Sequence, residues 1–594
     1  MKRGIPAEQR SGHSIFLFSL FAALASPAAA QTTWYVDDDN CPGPGSGSSN
    51  DPFCRIQDAI QAAFNGDTVL VLAGTYFEQV DFLGKEISLK GRDGAEVTII
   101  DSGGLSPAVR METAPGLQPL VEGFTITGVE YPNPGPGLYC NGSGTVRGNI
   151  LKGNSDGGLS AGGATLIEGN LITGNGSNWG TGGMSCSGQV VVRRNRIVNN
   201  GSGFGNGGLS CWGSAVIKEN VIAFNGLYDG MAAGISCGDS VTISGNLIYA
   251  NDTNGEGIVG GILCNSGTPV IVANIIMWNV DGGIECWGTS APFIANNMIA
   301  ENYGTGIMCD NAAPTIVNTT IVGNTTGYGG LACVEQSSVL VTNTIFWENE
   351  GYWAPEIWVG DSGSCSTLTI SFSDIMGGQS SVAVSEGCTL NWGPGMIDQD
   401  PRFVAAEIQK TNNVHSFFPD YHLGRFSPCI NRGTNAGAPA TDIDGEGRPT
   451  MGSADMGADE FVRVHLLEAS PFELSAGLGG SVNLYLNTGT PWGGRPYLVL
   501  GSVSGTAPGI PLPGGLCVLP LQWDIFTGLV IKFANTPPFT GFRSTLDPGG
   551  SGMARFDSLG PMPPETVGLT FGFAFALTGA WDLASNPIGV IIGP

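Results

Sequence analysis

Basic residues are scarce in this chain of 594 residues, with 24 Lys and Arg against 51 Asp and Glu and a formal net charge of −27. Nucleic acids and anionic membrane surfaces are recognised through basic patches, so this balance argues against both as partners. It also disfavours a polyanionic sugar as a ligand unless a metal ion bridges it to the protein. The hydrophobic content of 42 % is normal for a folded protein.

Long apolar runs are absent after residue 30, where no segment reaches the roughly 18 residues of a membrane-spanning helix. Residues 15–25 form a shorter apolar run that follows basic residues and precedes three alanines at 28–30. This order predicts a secretory signal peptide over residues 1–30, and an uncleaved anchor is the alternative. We expect a secreted or cell-surface protein, without membrane insertion once the signal peptide is removed, in a compartment that permits disulfides.

One repeat organises residues 140–350. Its unit is an aliphatic residue, two residues, Asn, one residue, an aliphatic residue, two residues and a closing Asn, with a mean period of about 24 residues. The closing residues are Asn154, Asn175, Asn200, Asn225, Asn251, Asn279, Asn302, Asn324 and Asn349. A second signature, Gly-(Leu/Ile/Met)-x-Cys, recurs between these units. It contains Cys140, Cys186, Cys211, Cys237, Cys264, Cys286, Cys309 and Cys333.

A period of this length excludes the common helical solenoids, whose repeats run to roughly 33–47 residues, and the dense Leu pattern of leucine-rich repeats is missing. Short Val- and Ile-rich pieces separated by Gly and Asn favour strands and turns. We therefore predict an all-β fold, a parallel β-helix of about 13 turns in which like residues stack at a strand spacing of about 4.8 Å. The repeated Asn residues are expected to adopt left-handed turns and to bond to the next turn.

The repeats resemble those of right-handed parallel β-helix proteins of the pectin-lyase-like superfamily, in particular its secreted bacterial members. The resemblance implies a short helix at residues 56–64 that covers the open end of the coil, and a closing segment at residues 427–461. The coil and its caps are therefore expected over residues 31–461.

The period vanishes at about residue 463. Alternating apolar pieces separated by Pro and Gly, such as residues 481–487 and 529–535, predict strands of a C-terminal β-sandwich over residues 462–594. This region resembles a C-terminal module of other exported bacterial proteins.

The ladder cysteines are expected to be buried, reduced thiols, because parallel Cβ vectors keep stacked cysteines slightly beyond the usual disulfide range. Cys41 and Cys54 flank a Pro/Gly/Ser loop and are expected to form a disulfide. Cys365 and Cys388, near the last turns, are expected to form another. The cysteines without an evident local partner are Cys429 and Cys517.

The resemblance implies action on polysaccharides, because the superfamily includes lyases, glycoside hydrolases and epimerases. The Gly-His-Gly motif of polygalacturonase-like hydrolases is missing from the sequence. Pectate-lyase-like elimination needs an Asp cluster for calcium and a basic residue, and the Asp residues of the repeats share no column. Arg193, Arg194 and Arg196 are the candidates for a base, and a salt-linked surface is the alternative.

Four tryptophans near the ladder cysteines and the closing Asn residues are candidates for stacking against sugars. They are Trp212, Trp287, Trp278 and Trp347. Packing beneath loops is an equal alternative, since no aromatic ladder over consecutive turns is evident.

Asp442, Asp444 and Glu446 resemble the opening of a calcium-binding loop, although Ser453 stands where an EF-hand has Glu. A structural calcium ion is thus a candidate at this loop, and no other cofactor is expected.

The leading hypothesis is an exported, non-catalytic protein that acts by adhesion or polysaccharide contact. The first alternative is a polysaccharide lyase or glycoside hydrolase with non-standard catalytic residues. The second is a purely structural component of the cell envelope.

Overall fold

A computed structural model describes residues 31–593, apart from 134, 256, 361–362, 406–418, 425–426, 451, 462–465, 489–491, 507–508 and 515–516. The predicted signal peptide, residues 1–30, lies outside the described residues. Within the described ranges, no helix combines the length and apolar character needed to cross a membrane.

The chain coils through about 13 turns, as predicted, and each turn adds one strand to each of three parallel sheets. Sheet A contains Thr33–Val36, Thr68–Val71, Ser88–Gly91, Leu120–Glu122, Ser143–Arg147, Ala164–Glu168, Val191–Arg193, Val216–Lys218, Thr242–Ser244, Val270–Val272, Phe293–Ala295, Thr315–Val317, Ser338–Thr342, Thr367–Ser371 and Thr389–Trp392. Sheet B contains Val80–Asp81, Val109–Glu112, Leu138–Asn141, Leu159–Ala161, Met184–Gly188, Leu209–Gly213, Ile235–Cys237, Ile262–Cys264, Ile284–Trp287, Ile307–Asp310, Leu331–Val334, Ile357–Val359 and Val382–Val384. Sheet C contains Gly74–Phe77, Thr98–Asp101, Thr125–Thr127, Ile150–Lys152, Leu171–Thr173, Arg196–Val198, Val221–Ala223, Leu247–Tyr249, Ile275–Met277, Met298–Ala300, Thr320–Val322, Ile345–Trp347 and Asp374–Ile375.

The aliphatic columns of the repeat form the core of the coil. Ile197, Ile222 and Ile248 are paired in register on successive turns and are fully buried. Because alternate residues of a strand point to opposite faces, each turn places aliphatic residues inward and polar residues outward.

The Asn columns form buried hydrogen-bonded ladders. Asn175 Nδ2 donates to Asn200 Oδ1 at 3.0 Å and to Leu151 O at 2.9 Å, while the backbone nitrogen of Asn175 donates to the same Oδ1. The left-handed residue is not the ladder Asn, as we had expected, but the residue before it, such as Arg194 with φ 54° or Asn199 with φ 57°. The ladder side chains then satisfy the backbone groups that these sharp corners leave unpaired.

A short helix covers the N-terminal end of the coil. It spans Ile56–Ala62, two residues shorter than predicted, and buries Ile56, Ala59 and Ile60. Glu78 Oε1 accepts from the backbone nitrogen of Ile56 at 2.8 Å, which satisfies an N–H that the helix itself cannot.

After the last turn, the described residues between 393 and 461 run back along the coil; we call them the tail. Its two-stranded sheet consists of Phe403–Ala405 and Asp420–Leu423. Asn318 Nδ2 on the coil donates to Asp455 O of the tail at 2.8 Å, and a fully buried ion pair joins Arg448 to Glu460 at 3.1 Å.

The C-terminal region contains the expected β-sheets. A four-stranded sheet contains Leu467–Ser470, Ser481–Asn487, Phe539–Thr540 and Ser551–Asp557. A five-stranded sheet contains Glu473–Ser475, Pro496–Ser502, Arg543–Thr545, Thr570–Leu577 and Ile588–Gly593. Residues of both sheets contribute to one buried cluster. The expectation of a strand at residues 529–535 was wrong, because this stretch belongs to a helix, Ile525–Phe533, that a capping box of Asp524 and Thr527 starts.

The remaining elements are short. The other strands are Gly176–Ser177, Gly201–Ser202, Gly226–Leu227, Ile510–Pro511 and Val518–Leu519, and the 3-10 helices are Asp38–Asn40, Gly378–Ser381 and Pro564–Thr566.

The cysteine ladder differs from the prediction at one step. The structure links Cys186 to Cys211, whose Cα atoms are 4.6 Å apart, so these two are not the reduced thiols that we expected. The other ladder cysteines are buried thiols: Cys140, Cys237, Cys264, Cys286, Cys309 and Cys333. Direct stacking of in-register strands brings Cα atoms within the disulfide range.

Of the two predicted disulfides, Cys41–Cys54 is present. The expected disulfide between Cys365 and Cys388 is not formed; Cys365 Sγ lies 3.4 Å from Glu386 O and Cys388 Sγ lies 3.5 Å from Gly360 O.

Candidate functional site

The three arginines considered as bases do not converge. Arg193 pairs with Glu168 at 2.9 Å and Arg194 with Glu219 at 2.7 Å, so both are salt-linked on the coil surface. Arg196 donates instead to the backbone oxygen of Glu565 in the C-terminal region. Burial lowers the pKa of the Arg196 guanidinium, in keeping with a position beneath that region.

The four candidate tryptophans also fall on two sides of the coil and form no single groove. Trp212 and Trp287 lie on the outer surface of sheet B, three turns apart. Trp278 and Trp347 lie at sheet C, where they pack against a cluster that includes Tyr421 of the tail. Packing therefore accounts for the second pair.

A different aromatic pair is exposed on consecutive turns. Trp179 and Phe204 are 77 % and 46 % exposed, and their rings stack with centroids 4.5 Å apart and an interplanar angle of 21°. The loops that carry them are held in register, since the backbone nitrogen of Phe204 donates to Asn178 O at 2.9 Å. Neither residue was among the predicted site residues, although their spacing of 25 residues matches that from Asn175 to Asn200.

Sheet B also carries two outward carboxylates on neighbouring turns. Glu285 is half-buried, and burial raises its pKa to about 7. Asp310 lies in register with Trp287, and burial together with the charge of Glu335 raises the Asp310 pKa. Glu285 was not predicted, because the equivalent positions on earlier turns include Ser210 and Ser236 and therefore show no repeated acidic residue.

A cluster of acidic residues surrounds His422 in the tail. The imidazole Nδ1 is hydrogen-bonded to Asp420 Oδ1 at 2.5 Å, and Nε2 is 2.9 Å from Asp444 Oδ2. Burial disfavours the charged imidazolium and lowers the pKa of His422. The negative charges of Asp420 and Asp444 have the larger effect and raise this pKa well above its usual value. Asp459 lies nearby, and burial raises its pKa to about 8.

The predicted calcium residues contribute unequally to this cluster. Asp444 faces His422 as described above. Asp442 is turned inward, where its carboxylate accepts from the backbone nitrogens of Asp444, Glu446 and Glu460 at 2.8–3.0 Å. Burial, together with the charge of neighbouring carboxylates, raises the pKa of Asp442 to about 6 and that of Glu446 to about 7.

A cavity of about 370 Å³ lies between sheet C, the tail and the C-terminal region, and we call it the junction cavity. Its wall is largely apolar and includes Met277, Met298 and Phe472. His422 and Asp444 line it as well, so the acidic cluster reaches a half-open, largely apolar space with a few polar groups, of the kind that holds small ligands.

A family model described as a right handed beta helix region matches residues 207–392. Solved structures similar to this chain include a complex of XylC with xylose, the pectate lyase Pel9A, and the catalytic unit of a thermostable GH87 alpha-1,3-glucanase from Streptomyces thermodiastaticus. Their identities are 13, 14 and 16 %, and their TM-scores are 0.40, 0.37 and 0.35. The matches cover 72, 73 and 64 % of this chain and 98, 97 and 71 % of the respective structures.

The comparison with curated proteins finds no match. The in-register coil of three parallel sheets makes this chain a parallel β-helix, and the family model describes residues 207–392 of that coil as a right handed beta helix region.

Proposed function

We propose that this protein is exported and binds a polysaccharide, and that the Trp179–Phe204 pair is part of the binding surface. The observation that carries the proposal is this exposed, stacked pair on consecutive turns. Large aromatic rings are normally buried, and exposed rings offer apolar faces to which sugar rings bind by stacking. Because the repeat fixes the spacing of the two rings, the protein loses little conformational entropy when a glycan binds.

The charge of the protein favours a neutral glycan over a uronate. The net charge is −27, and Glu285 and Asp310 add carboxylates to the same coil. A polyanion would be repelled by this surface in the absence of a bridging cation. A protein that binds a neutral polysaccharide would act in adhesion and not in the breakdown of uronates.

Affinity electrophoresis through gels that contain neutral polysaccharides tests the proposal. Trp179→Ala and Phe204→Ala should each weaken retardation by about 3- to 10-fold, the range that one stacking contact contributes. Trp523→Ala is the matched control, because Trp523 is also well exposed but lies in the C-terminal region. Equal retardation of all three variants would count against the aromatic pair, and no retardation of the wild type in any gel would favour a purely structural role.

Hydrolysis is the second candidate, and Glu285 favours it. A carboxylic acid with a pKa near neutrality is suited to protonate a leaving oxygen, and Asp310 on the next turn offers the second carboxylate that glycoside hydrolysis requires. Release of reducing ends that Glu285→Gln abolishes would establish this activity. A calcium-dependent absorbance rise with uronate oligomers, lost in Arg193→Ala, would instead establish a lyase.

A further inference from the structure

Three potential metal-binding atoms come together at the wall of the junction cavity. His422 Nε2 and one carboxylate oxygen each of Asp444 and Asp459 all lie within 4.8 Å of one another. Bonds from a metal ion to imidazole nitrogen or carboxylate oxygen are about 2.0–2.4 Å long. A single ion between these atoms is therefore within reach of all three.

Asp459 supplies an independent indication that a ligand belongs here. The residue is only 1 % exposed, and its Oδ2 accepts from the backbone nitrogen of Leu423 at 2.7 Å. Its Oδ1 has no hydrogen-bond partner among the residues that the structure describes. A buried carboxylate oxygen without a donor is costly, and a cation bound next to His422 and Asp444 would satisfy it.

The surroundings of His422 suit a metal ligand. The bond from Nδ1 to Asp420 fixes the ring so that Nε2 faces Asp444, which is the carboxylate–histidine arrangement that orients imidazole ligands. Arg448, the buried cation of the tail, is paired with Glu460 at 3.1 Å. The carboxyl groups of Asp420, Asp444 and Asp459 surround the imidazole and would balance the charge of a divalent ion bound to it.

We propose that His422, Asp444 and Asp459 bind a divalent ion of the zinc type, with the remaining coordination positions turned toward the junction cavity. One imidazole nitrogen with two carboxylate oxygens suits Zn²⁺ or a similar first-row ion, whereas Ca²⁺ takes oxygen ligands. The site therefore differs from the calcium loop expected from the sequence, in which Asp442 would be a ligand. Because His422 and Asp444 line the cavity, an ion held there contacts whatever occupies it.

The test uses the untagged, full-length secreted chain after treatment with EDTA. Calorimetric titration with ZnCl₂ should give one saturable site, and Co²⁺ should give visible absorption bands of nitrogen and oxygen ligation. Asp444→Asn should weaken Zn²⁺ binding by more than about 100-fold. Asp420→Asn replaces the carboxylate that is bonded to both the backbone nitrogen and Nδ1 of His422, and it should weaken binding by about 10- to 100-fold with altered Co²⁺ bands. Asp93→Asn is the matched control, because Asp93 is a surface acid far from the cluster.

Circular dichroism checks that each variant is folded, and Asp420→Asn carries the test if Asp444→Asn is not. The proposal is overturned if Zn²⁺ gives no saturable binding, if Asp420→Asn and Asp444→Asn bind Zn²⁺ as Asp93→Asn does, or if Ca²⁺ saturates the site and Zn²⁺ does not. None of these measurements uses a glycan, so their outcome is independent of the function proposed above.

Discussion

Replacing Asn200 by Ala measures how much one step of the Asn ladder stabilises the coil. Asn200 is 2 % exposed, and its Nδ2 donates to Ile172 O at 2.9 Å and to Asn225 Oδ1 at 3.0 Å. Its Oδ1 accepts from the backbone nitrogen of Asn175 at 3.1 Å and from Asn175 Nδ2 at 3.0 Å. Alanine removes these four bonds and a fifth, from Asn200 Nδ2 to Val198 O at 3.2 Å, and it deprives the buried Asn175 N–H of this acceptor.

A buried amide that loses its acceptor costs about 1–3 kcal/mol, and each other lost bond costs about 1 kcal/mol. We therefore expect Asn200→Ala to lower the free energy of unfolding by about 5–7 kcal/mol. The matched control is Asn178→Ala, because Asn178 is exposed in the same turn, and its replacement should change that energy by less than about 0.5 kcal/mol.

Urea unfolding followed by circular dichroism gives the energies, and hydrogen–deuterium exchange gives their location. Each turn of a solenoid contacts only its neighbours, so protection should be lost first in the turns next to Asn200. If Asn200→Ala and Asn178→Ala unfold at the same urea concentration, or if protection is lost evenly along the coil, the ladder does not have the stabilising role argued here.

Three further predictions concern the cysteines, a buried acid and the tail. Alkylation of the unfolded, unreduced protein followed by mass spectrometry should find Cys186 linked to Cys211; an alkylated Cys186 would contradict the structure. Burial raises the pKa of Glu473 to about 8, so the folded chain retains a proton that the unfolded chain loses above about pH 4.3. The free energy of unfolding should therefore fall between about pH 5 and pH 8. In thermal melts over this range, that energy should depend on pH less steeply for Glu473→Gln than for the wild type, by up to about 1.4 kcal/mol per pH unit, and an unchanged pH dependence would refute the assignment. Arg448→Met leaves the Glu460 carboxylate buried without its partner and should cost about 3–5 kcal/mol in urea unfolding, and an unchanged midpoint would exclude a stabilising role for this ion pair.

The coil could be predicted because one local pattern is repeated in every turn. Aliphatic and Asn columns at fixed offsets define which side chains stack, and the pairing of Ile197 with Ile222 follows from the period alone. The same period places Trp179 and Phe204 at equal offsets from Asn175 and Asn200, so this pair also follows from the sequence. The repeat gives every ladder cysteine the same offset, and it therefore does not indicate which stacked pair is bonded.

The acid–histidine cluster could not be predicted in this way, because the path of the tail depends on contacts between segments distant in sequence. The coil nevertheless carries a signal for that path. In three consecutive later turns the left-handed corner residue before the ladder is Asn296, Asn318 or Asn343, whereas the earlier turns place other residue types there: Gly148, Gly169, Arg194, Glu219, Gly245 and Ala273. Each of the three Asn side chains donates to a backbone oxygen of the tail, at 2.6–2.8 Å. A corner column that changes to Asn on consecutive turns therefore marks where a returning segment docks, because Asn both tolerates the left-handed backbone and supplies a donor to the chain above it.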